Sequence, residues 1–325
     1  MTDATTGAGS AATRHAVTFV ADHRAEAERL GHDLAEQLGD PEAFAADLRQ
    51  GLAALADPAY LAGQRSVAPG LGTIHGVRWP LLATISRGLR QATREDSTST
   101  LLFVADRLVR EPHLEARWLA FGLLERTLLE EPERTWQLLR RAAREAADWI
   151  TVDALARPYG VGIDAEPYRW AELEQLVYSS SPWERRLVGS TIATMTHGNR
   201  RTGRGPEIVR RALPLLGALV GDARPDVQKA LAWAYRSLAR LDPEATLNAL
   251  RATADQAIAE DDGYRAWVVR DSLAKLPPAD AADLRRRLAG IRRRPGARST
   301  STAAITAGAW GSLPDSSAQP EPPLT

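Results

Sequence analysis

Apolar residues recur at intervals of three and four positions along almost the whole chain. This period places them on one face of an α-helix, and no alternating, strand-like pattern competes with it. Breakers separate the helical segments, and proline often stands at a helix start. The breakers include "EPH", "RPYG", "SSSP", "GDARPD", "LDPE" and "KLPP". The segments between them include "PEAFAADLRQGLAALA", "LEARWLAFGLLERTLLEE", "ERTWQLLRRAAREAADW", "PEIVRRALPLLGALV" and "EATLNALRATADQAIAE". The sequence therefore predicts an all-α fold.

Four helical segments can be laid over one another: "LEARWLAFGLLERTLL", "WERRLVGSTIATM", "DVQKALAWAYRSLARL" and "GYRAWVVRDSLAKL". Arg117, Arg186, Lys229 and Arg265 then share one position, each followed by an apolar helix face. Their spacing of roughly 40 residues, doubled in the first interval, is typical of HEAT-type helix pairs. We expect a curved α-solenoid with a row of cations on its inner face. In one interpretation these cations bind a polyanion. In the other they donate hydrogen bonds to the backbone carbonyls of neighbouring repeats.

The basic residues of the chain are almost all arginines. Of 41, only Lys229 and Lys275 are lysines, and 41 acidic residues balance them. A GC-rich genome would give this bias, but the guanidinium also suits phosphate, so the positions of the arginines matter more than their number. Arg200, Arg201 and Arg204 lie in the loop "HGNRRTGRGPE", just before a helix that starts with proline. We predict that this loop binds a phosphate backbone.

Several classes of site are excluded by composition. The chain has no cysteine, so it has no disulfide, thiolate zinc site or cysteine nucleophile. Its six histidines are scattered without the spacing of metal ligands, and we expect neither a metal nor a cofactor. The first residues have no apolar core like that of a signal peptide, and no apolar run is long enough to span a membrane. We expect a cytoplasmic monomer.

Composition also divides the chain into three parts. Residues 1–12 are small and polar, and residues 295–325 are rich in Ser, Pro, Ala and Thr with a lone Trp310. Both are predicted to be disordered tails around a HEAT-like domain over residues 13–294.

Three segments carry a family resemblance, in the order "DWITVDALA", "SSSPWERRLVGS" and "DVQKALAWAYRSLARLDPE". They resemble the signature helices of the AlkD-like alkylpurine DNA glycosylases, which are HEAT-like proteins that excise cationic alkylated purines. The matching residues are Trp149 with Asp153, Trp183 with Arg186, and Gln228, Lys229 and Ala230 with Trp233. Upstream, Gly76 and Pro80 are similar to the family's early Gly-x-x-x-Pro turn. The resemblance covers residues 60–275.

The resemblance implies a role for each matching residue. Asp153 would be the catalytic carboxylate, Trp149 and Trp233 would be aromatic walls beside the deoxyribose of the lesion, and Arg186 would contact the DNA backbone. The implied partner is double-stranded DNA with an alkylated purine, which would associate the protein with the nucleoid. The chemistry is consistent with this, because a purine alkylated at N3 or N7 leaves as a neutral base. The main energy barrier is then the development of positive charge on the sugar, which a fixed carboxylate and the faces of indole rings would stabilise.

Other features leave alternatives open. The family has an aromatic residue shortly before the early turn. In this sequence Tyr60, which lies further upstream of the turn, is the candidate for it. Segments such as "PYGVGIDAEPY" resemble insertions that would remodel the substrate face. A branch of the family excises bulky minor-groove adenine adducts as self-resistance to a natural product, so the lesion is either methylated or bulky. No lysine suits a Schiff base, which argues against strand cleavage. A catalytically silent DNA-binding protein and a protein-interaction scaffold are the competing hypotheses.

Overall fold

The computed structural model describes residues 11–67, 72–199 and 203–310. Within these ranges it contains sixteen α-helices, three short 3-10 helices and no β-strand beyond one isolated bridge between Ala56 and Val77. The α-helices are α1 (Ala11–Asp33), α2 (Pro41–Ala54), α3 (Pro58–Val67), α4 (Trp79–Ala92), α5 (Thr98–Val109), α6 (Leu114–Thr127), α7 (Pro132–Glu145), α8 (Trp149–Ala165), α9 (Trp170–Val177), α10 (Pro182–Asn199), α11 (Gly205–Leu219), α12 (Pro225–Leu238), α13 (Pro243–Ala259), α14 (Gly263–Ser272), α15 (Pro278–Arg287) and α16 (Thr302–Trp310). The 3-10 helices are Leu34–Gln37, Pro167–Arg169 and Leu273–Lys275. The all-α prediction is confirmed.

The chain forms two compact units, Met1–Ala165 and Glu166–Thr325. In the first unit, α4, α6 and α8 are successive neighbours in one layer, and α2, α5 and α7 are successive neighbours in the other. The layers meet where α5 packs on α6 and α7 packs on α8, while α1 covers α4. This is the arrangement of stacked helical repeats, as the spacing of the sequence segments predicts.

The second unit repeats the same scheme. Helices α10, α12 and α14 form one layer, and α9, α11 and α13 form the other. Helices α10 and α12 cross closely at Gly189, where a Cβ atom would lie 2.8 Å from the backbone carbon of Ala230. A glycine is therefore required for the two helices to approach this closely.

Helix α8 continues past a proline that the sequence suggested as a breaker. Pro158 lies inside the helix, which runs on through most of the presumed insertion that follows. Tyr159 is buried and its ring lies 4.6 Å from that of Trp136 on α7. Because this packing offsets the backbone hydrogen bond that proline cannot donate, the prediction of a break at "RPYG" is wrong.

Residues 295–310 are folded rather than part of a disordered tail, which corrects the boundary suggested by composition. The backbone N–H of Thr300 donates to the Gly221 carbonyl at 2.9 Å, and the N–H of Ala223 donates to Ser299 Oγ at 2.8 Å. Helix α16 then packs on α11, with Ala303 buried. The small residues of this segment led to the prediction of disorder, but small residues also allow two backbones to approach closely. At the other end of the chain, α1 begins at residue 11.

Among the described helices, none combines the length and hydrophobicity that crossing a bilayer requires.

Candidate functional site

The first turn of α8 carries Trp149 and Asp153, the two residues singled out in the sequence. The carboxylate of Asp148 caps this turn, since it accepts hydrogen bonds from the N–H of Thr151 at 2.7 Å and from its hydroxyl at 2.6 Å. Trp149, the first residue of the helix, is 38% exposed. Asp153 is half-buried and follows one turn later, so the two side chains lie on the same side of α8.

Arg117 on α6 contacts the start of α8. Its Nη2 lies 3.8 Å from Asp148 Oδ2, and both side chains are largely buried. The sequence predicted that Arg117 binds DNA, and that role stays a prediction. In the protein itself, the guanidinium places a positive charge beside the carboxylate that caps α8.

A cavity of about 570 Å³ opens in the first unit between α4, α6 and α8. Asp153 contributes to its wall, together with apolar side chains such as Leu82 and Leu119, and with Arg87 and Arg90. The volume lies within the range of about 300–1,000 Å³ that is typical of pockets for small ligands. The predicted catalytic carboxylate is thus part of an apolar cavity with cations on its wall.

Two tryptophans form the aromatic wall of this cavity. Trp79, the first residue of α4, is 61% exposed, and its ring meets that of Trp118 edge-on with centroids 5.7 Å apart. The indole Nε1 of Trp118 is buried and has no hydrogen-bond partner among the described residues. An exposed indole usually costs free energy in water, so this wall is suited to a planar aromatic ligand. Neither residue was predicted to belong to the site, although Trp79 directly precedes the Pro80 of the early turn.

An ion pair forms another part of the cavity wall. Arg157, one turn after Asp153 on α8, donates two hydrogen bonds of 2.8 Å each to the carboxylate of Glu125 on α6. These bonds raise the pKa of Arg157 above its usual value. Because both residues line the cavity, the pair joins α6 to α8 beside Asp153.

A basic strip, defined as Arg87, Arg90 and Arg94, runs along α4. The three side chains are exposed, and the described residues offer them no hydrogen bond or ion pair. They are three and four positions apart, so they lie on one side of the helix or at its end. A second cavity of about 560 Å³ is lined by all three. This strip was not predicted, because the repeat pattern indicates one cation per repeat rather than several cations along one helix and at its end.

The early turn has the geometry that its sequence suggests. Gly76 adopts a φ of 88°, and its N–H donates to Glu115 Oε1 at 2.8 Å. Tyr60, the candidate for the aromatic residue of the early helix, has the guanidinium of Arg78 4.9 Å above its ring. Burial raises the pKa of Tyr60. One face of Tyr60 is therefore covered by the protein itself, whereas Trp79 nearby is exposed.

In the second unit, Arg186 on α10 is buried and donates from Nη1 to the carbonyl oxygen of Asp226 at 2.6 Å. Arg265 on α14 is also buried, pairs with Asp262 at 2.6 Å and donates to the Thr300 carbonyl. The Arg186 contact matches the second interpretation of the repeated cations, in which they bond the carbonyls of neighbouring repeats. Arg265 instead bonds the carboxylate at the start of its own helix and the carbonyl of Thr300, which follows the last repeat. DNA contact by Arg186 stays a prediction.

Helix α12 presents the third motif. Lys229 is exposed and Trp233, one turn later, is half-exposed, so they share one side of the helix. Gln228 between the layers is buried and donates to the Asp222 carbonyl at 2.6 Å. Helix α12 therefore buries the amide of Gln228 and leaves the side chains of Lys229 and Trp233 accessible.

The arginine loop is described only in part. Arg200 and Arg201 lie outside the described residues. Arg204 is the N-cap residue of α11 and is half-exposed. Its predicted contact with phosphate stays a prediction.

Comparison with known proteins gives one finding. The family model of the DNA alkylation repair enzymes matches residues 48–276, which include α4, α8, α10 and α12 with the motifs described above. No curated protein matches the sequence. Since the match covers most of the chain, this protein belongs to the family of DNA alkylation repair enzymes.

Proposed function

We propose that this protein is a monofunctional DNA glycosylase that hydrolyses the N-glycosidic bond of purines alkylated at N3 or N7 in duplex DNA. The observation that carries the proposal is the position of Asp153, on the wall of a cavity with tryptophan and arginine walls, in a chain of the DNA alkylation repair family.

The chemistry assigned to Asp153 is electrostatic. As the C1′–N bond breaks, its electron pair leaves with the base and neutralises the positive charge of the alkylated ring. Positive charge then develops on the sugar, where a fixed carboxylate stabilises it and orients the attacking water. The water oxygen bonds to C1′, and its proton passes to the carboxylate or to solvent. No general acid is required, because the leaving base is already cationic.

The indole of Trp149 supports the same step. It lies one turn before Asp153 and is 38% exposed, and we assign it a cation–π contact with the developing charge on the sugar. In the second unit, we assign Trp233 an aromatic contact and Lys229 a backbone contact with the bound duplex, which the motif on α12 supports.

The basic strip of Arg87, Arg90 and Arg94 supports a duplex as the partner. Three exposed guanidiniums with no carboxylate partner among the described residues favour a polyanion, and phosphate contacts position a duplex without reading its sequence. We propose that backbone phosphates bind along this strip while the lesion lies at the adjoining cavity. A catalytically silent DNA-binding protein remains the competing hypothesis.

The cavity favours a lesion larger than a methyl adduct. Its volume of about 570 Å³ and its two tryptophans suit an aromatic substituent. We propose a bulky minor-groove adenine adduct as the preferred substrate and self-resistance as the role.

The test is single-turnover base release from duplexes that carry 7-methylguanine, 3-methyladenine or a bulky aromatic adenine adduct. We expect abasic sites that break only after alkali treatment, and release of the bulky adduct that falls at least tenfold in Trp79→Ala, with methyl-base release kept within about twofold. Phe103→Ala is the matched control, because Phe103 on α5 is 62% exposed but does not line the cavity. Duplex binding with no release from any substrate would contradict the proposal in favour of the silent DNA-binding protein.

A further inference from the structure

Residues 291–301, here called the C-terminal strap, lie across the starts of α12 and α14. Besides its bonds to Gly221 and Ala223, it accepts a hydrogen bond of 2.7 Å from Tyr264 Oη at the Ala297 carbonyl. A Cβ atom on Gly263 would lie 2.1 Å from the carbonyl oxygen of Arg292, so the strap lies directly against α14. Its backbone therefore holds the side chains that it carries in fixed positions.

Arg293 is the strap residue whose side chain is best positioned. Its guanidinium carbon lies 4.9 Å from the centroid of the Trp267 ring, and its Nη1 donates to Gln228 Oε1 at 3.2 Å. Gln228 is buried and is itself fixed by its bond to the Asp222 carbonyl. The stacked ring and the amide orient a side chain that is otherwise exposed to solvent.

The charge of Arg293 is not neutralised by any carboxylate among the described residues, unlike the charges of Arg287 and Arg294. Arg294 pairs with Asp261, and Arg287 pairs with Asp255. The pKa of Arg270, first lowered by burial, is lowered further by repulsion from Arg292 and Arg293. The strap and α14 thus form a local excess of positive charge.

We propose that Arg293 binds a backbone phosphate of duplex DNA, next to the phosphate contact that we assign to Lys229. Gln228, which holds Arg293, directly precedes the exposed Lys229 on α12. A guanidinium that is oriented before binding loses less entropy when it bonds a phosphate. Arg293 lies outside residues 48–276, so this contact belongs to the strap of this chain and not to the matched family region. The inference rests on the proposed DNA substrate.

The test is the affinity of the full-length protein for an unmodified duplex as a function of salt. Each phosphate contact adds about 0.9 to the slope of log K against log salt, so Arg293→Met should lower that slope by about one. Between 50 and 200 mM salt, wild type should therefore lose about three- to fourfold more affinity than the variant. Methionine keeps an apolar chain against Trp267 and removes only the charge and the donors.

Arg285→Met is the matched control. Arg285 lies on α15, is exposed, and has no hydrogen bond or ion pair among the described residues. Its loss removes the same formal charge and should leave the slope unchanged. If Arg293→Met unfolds at a lower temperature, Arg293→Lys provides the second test, and its slope should equal that of wild type.

A wild-type slope in Arg293→Met, an equal drop in Arg285→Met, or a reduced slope in Arg293→Lys would each overturn the inference. Because the readout is binding and not base release, it is separable from the test of the glycosylase. A protein that binds with the predicted slopes but releases no base would retain the phosphate contact and lose only the proposed catalysis.

Discussion

Replacing Asp148 should loosen the first turn of α8 and, through it, the position of Asp153. The carboxylate accepts two hydrogen bonds from Thr151 and lies 3.8 Å from the guanidinium of Arg117. Loss of an N-cap side chain costs about 1 kcal/mol. Loss of an ion pair that is not fully buried costs up to about 1 kcal/mol. Asp148→Ala should therefore lower the free energy of unfolding by about 1–2 kcal/mol.

Asp148→Asn separates the two contributions. Asparagine caps a helix about as well as aspartate through its one carbonyl oxygen, so this variant should keep the bond from the Thr151 N–H. It should lose the attraction to Arg117, which is less than about 1 kcal/mol, and the acceptor for the Thr151 hydroxyl. In a unit of this size, 1 kcal/mol corresponds to a melting temperature lower by about 2–4 °C. Thermal unfolding followed by circular dichroism measures both variants, and a double-mutant cycle with Arg117→Ala isolates the pair. Equal melting temperatures for wild type and Asp148→Ala would refute the assignment of Asp148 as the cap, and zero coupling would refute the role of Arg117.

Two further predictions concern packing and pH. Gly189→Ala should destabilise the second unit by about 1–3 kcal/mol, because the added Cβ would meet the Ala230 backbone. Gly217→Ala on α11 is the control and should be neutral or stabilising, because nothing lies within 4 Å of its added Cβ. Chemical denaturation measures the free energy of unfolding of both variants. The pKa of His75 is lowered by burial and then by its stacked neighbour His113. The folded state therefore binds this proton less readily than the unfolded state, so stability falls as pH drops below the unfolded value of about 6.5. Wild type should lose more melting temperature than His75→Gln between pH 7.5 and 5.5, and equal losses would contradict this explanation.

Much of the fold could be predicted because helical periodicity is a local property of the sequence. The apolar faces of α6, α11 and α12 identify these helices without any partner. The continuation of α8 through Pro158 could not be predicted, since it depends on the burial of Tyr159 against Trp136, residues far apart in the chain. The strap was missed for a similar reason, because its hydrogen bonds are made by its backbone and small side chains.

The candidate site was predictable only where residues follow one another on one helix. The spacing of Trp149 and Asp153 gave their shared side of α8. Trp118 on α6 lines the same cavity as Asp153, yet no sequence signal connects the two residues. The shared position of Arg186 in the repeats left open whether it binds a polyanion or bonds a neighbouring repeat, and the side chain is buried and bonds the Asp226 carbonyl. Burial depends on the packing of neighbouring helices, which the pattern of one helix does not determine.

The measurement that tests the central claim most directly is single-turnover base release by Asp153→Asn, with duplex binding measured on the same preparation. At about 4 Å and an effective dielectric constant of about 20, a carboxylate stabilises a unit positive charge by about 4 kcal/mol, which corresponds to roughly a thousandfold in rate. Glu145→Gln, which removes a 56% exposed carboxylate at the end of α7, is the control and should release bases at the wild-type rate. We predict a loss of about two to three orders of magnitude in Asp153→Asn with duplex binding retained. Release by Asp153→Asn within threefold of wild type would contradict the assignment of Asp153 as the catalytic carboxylate.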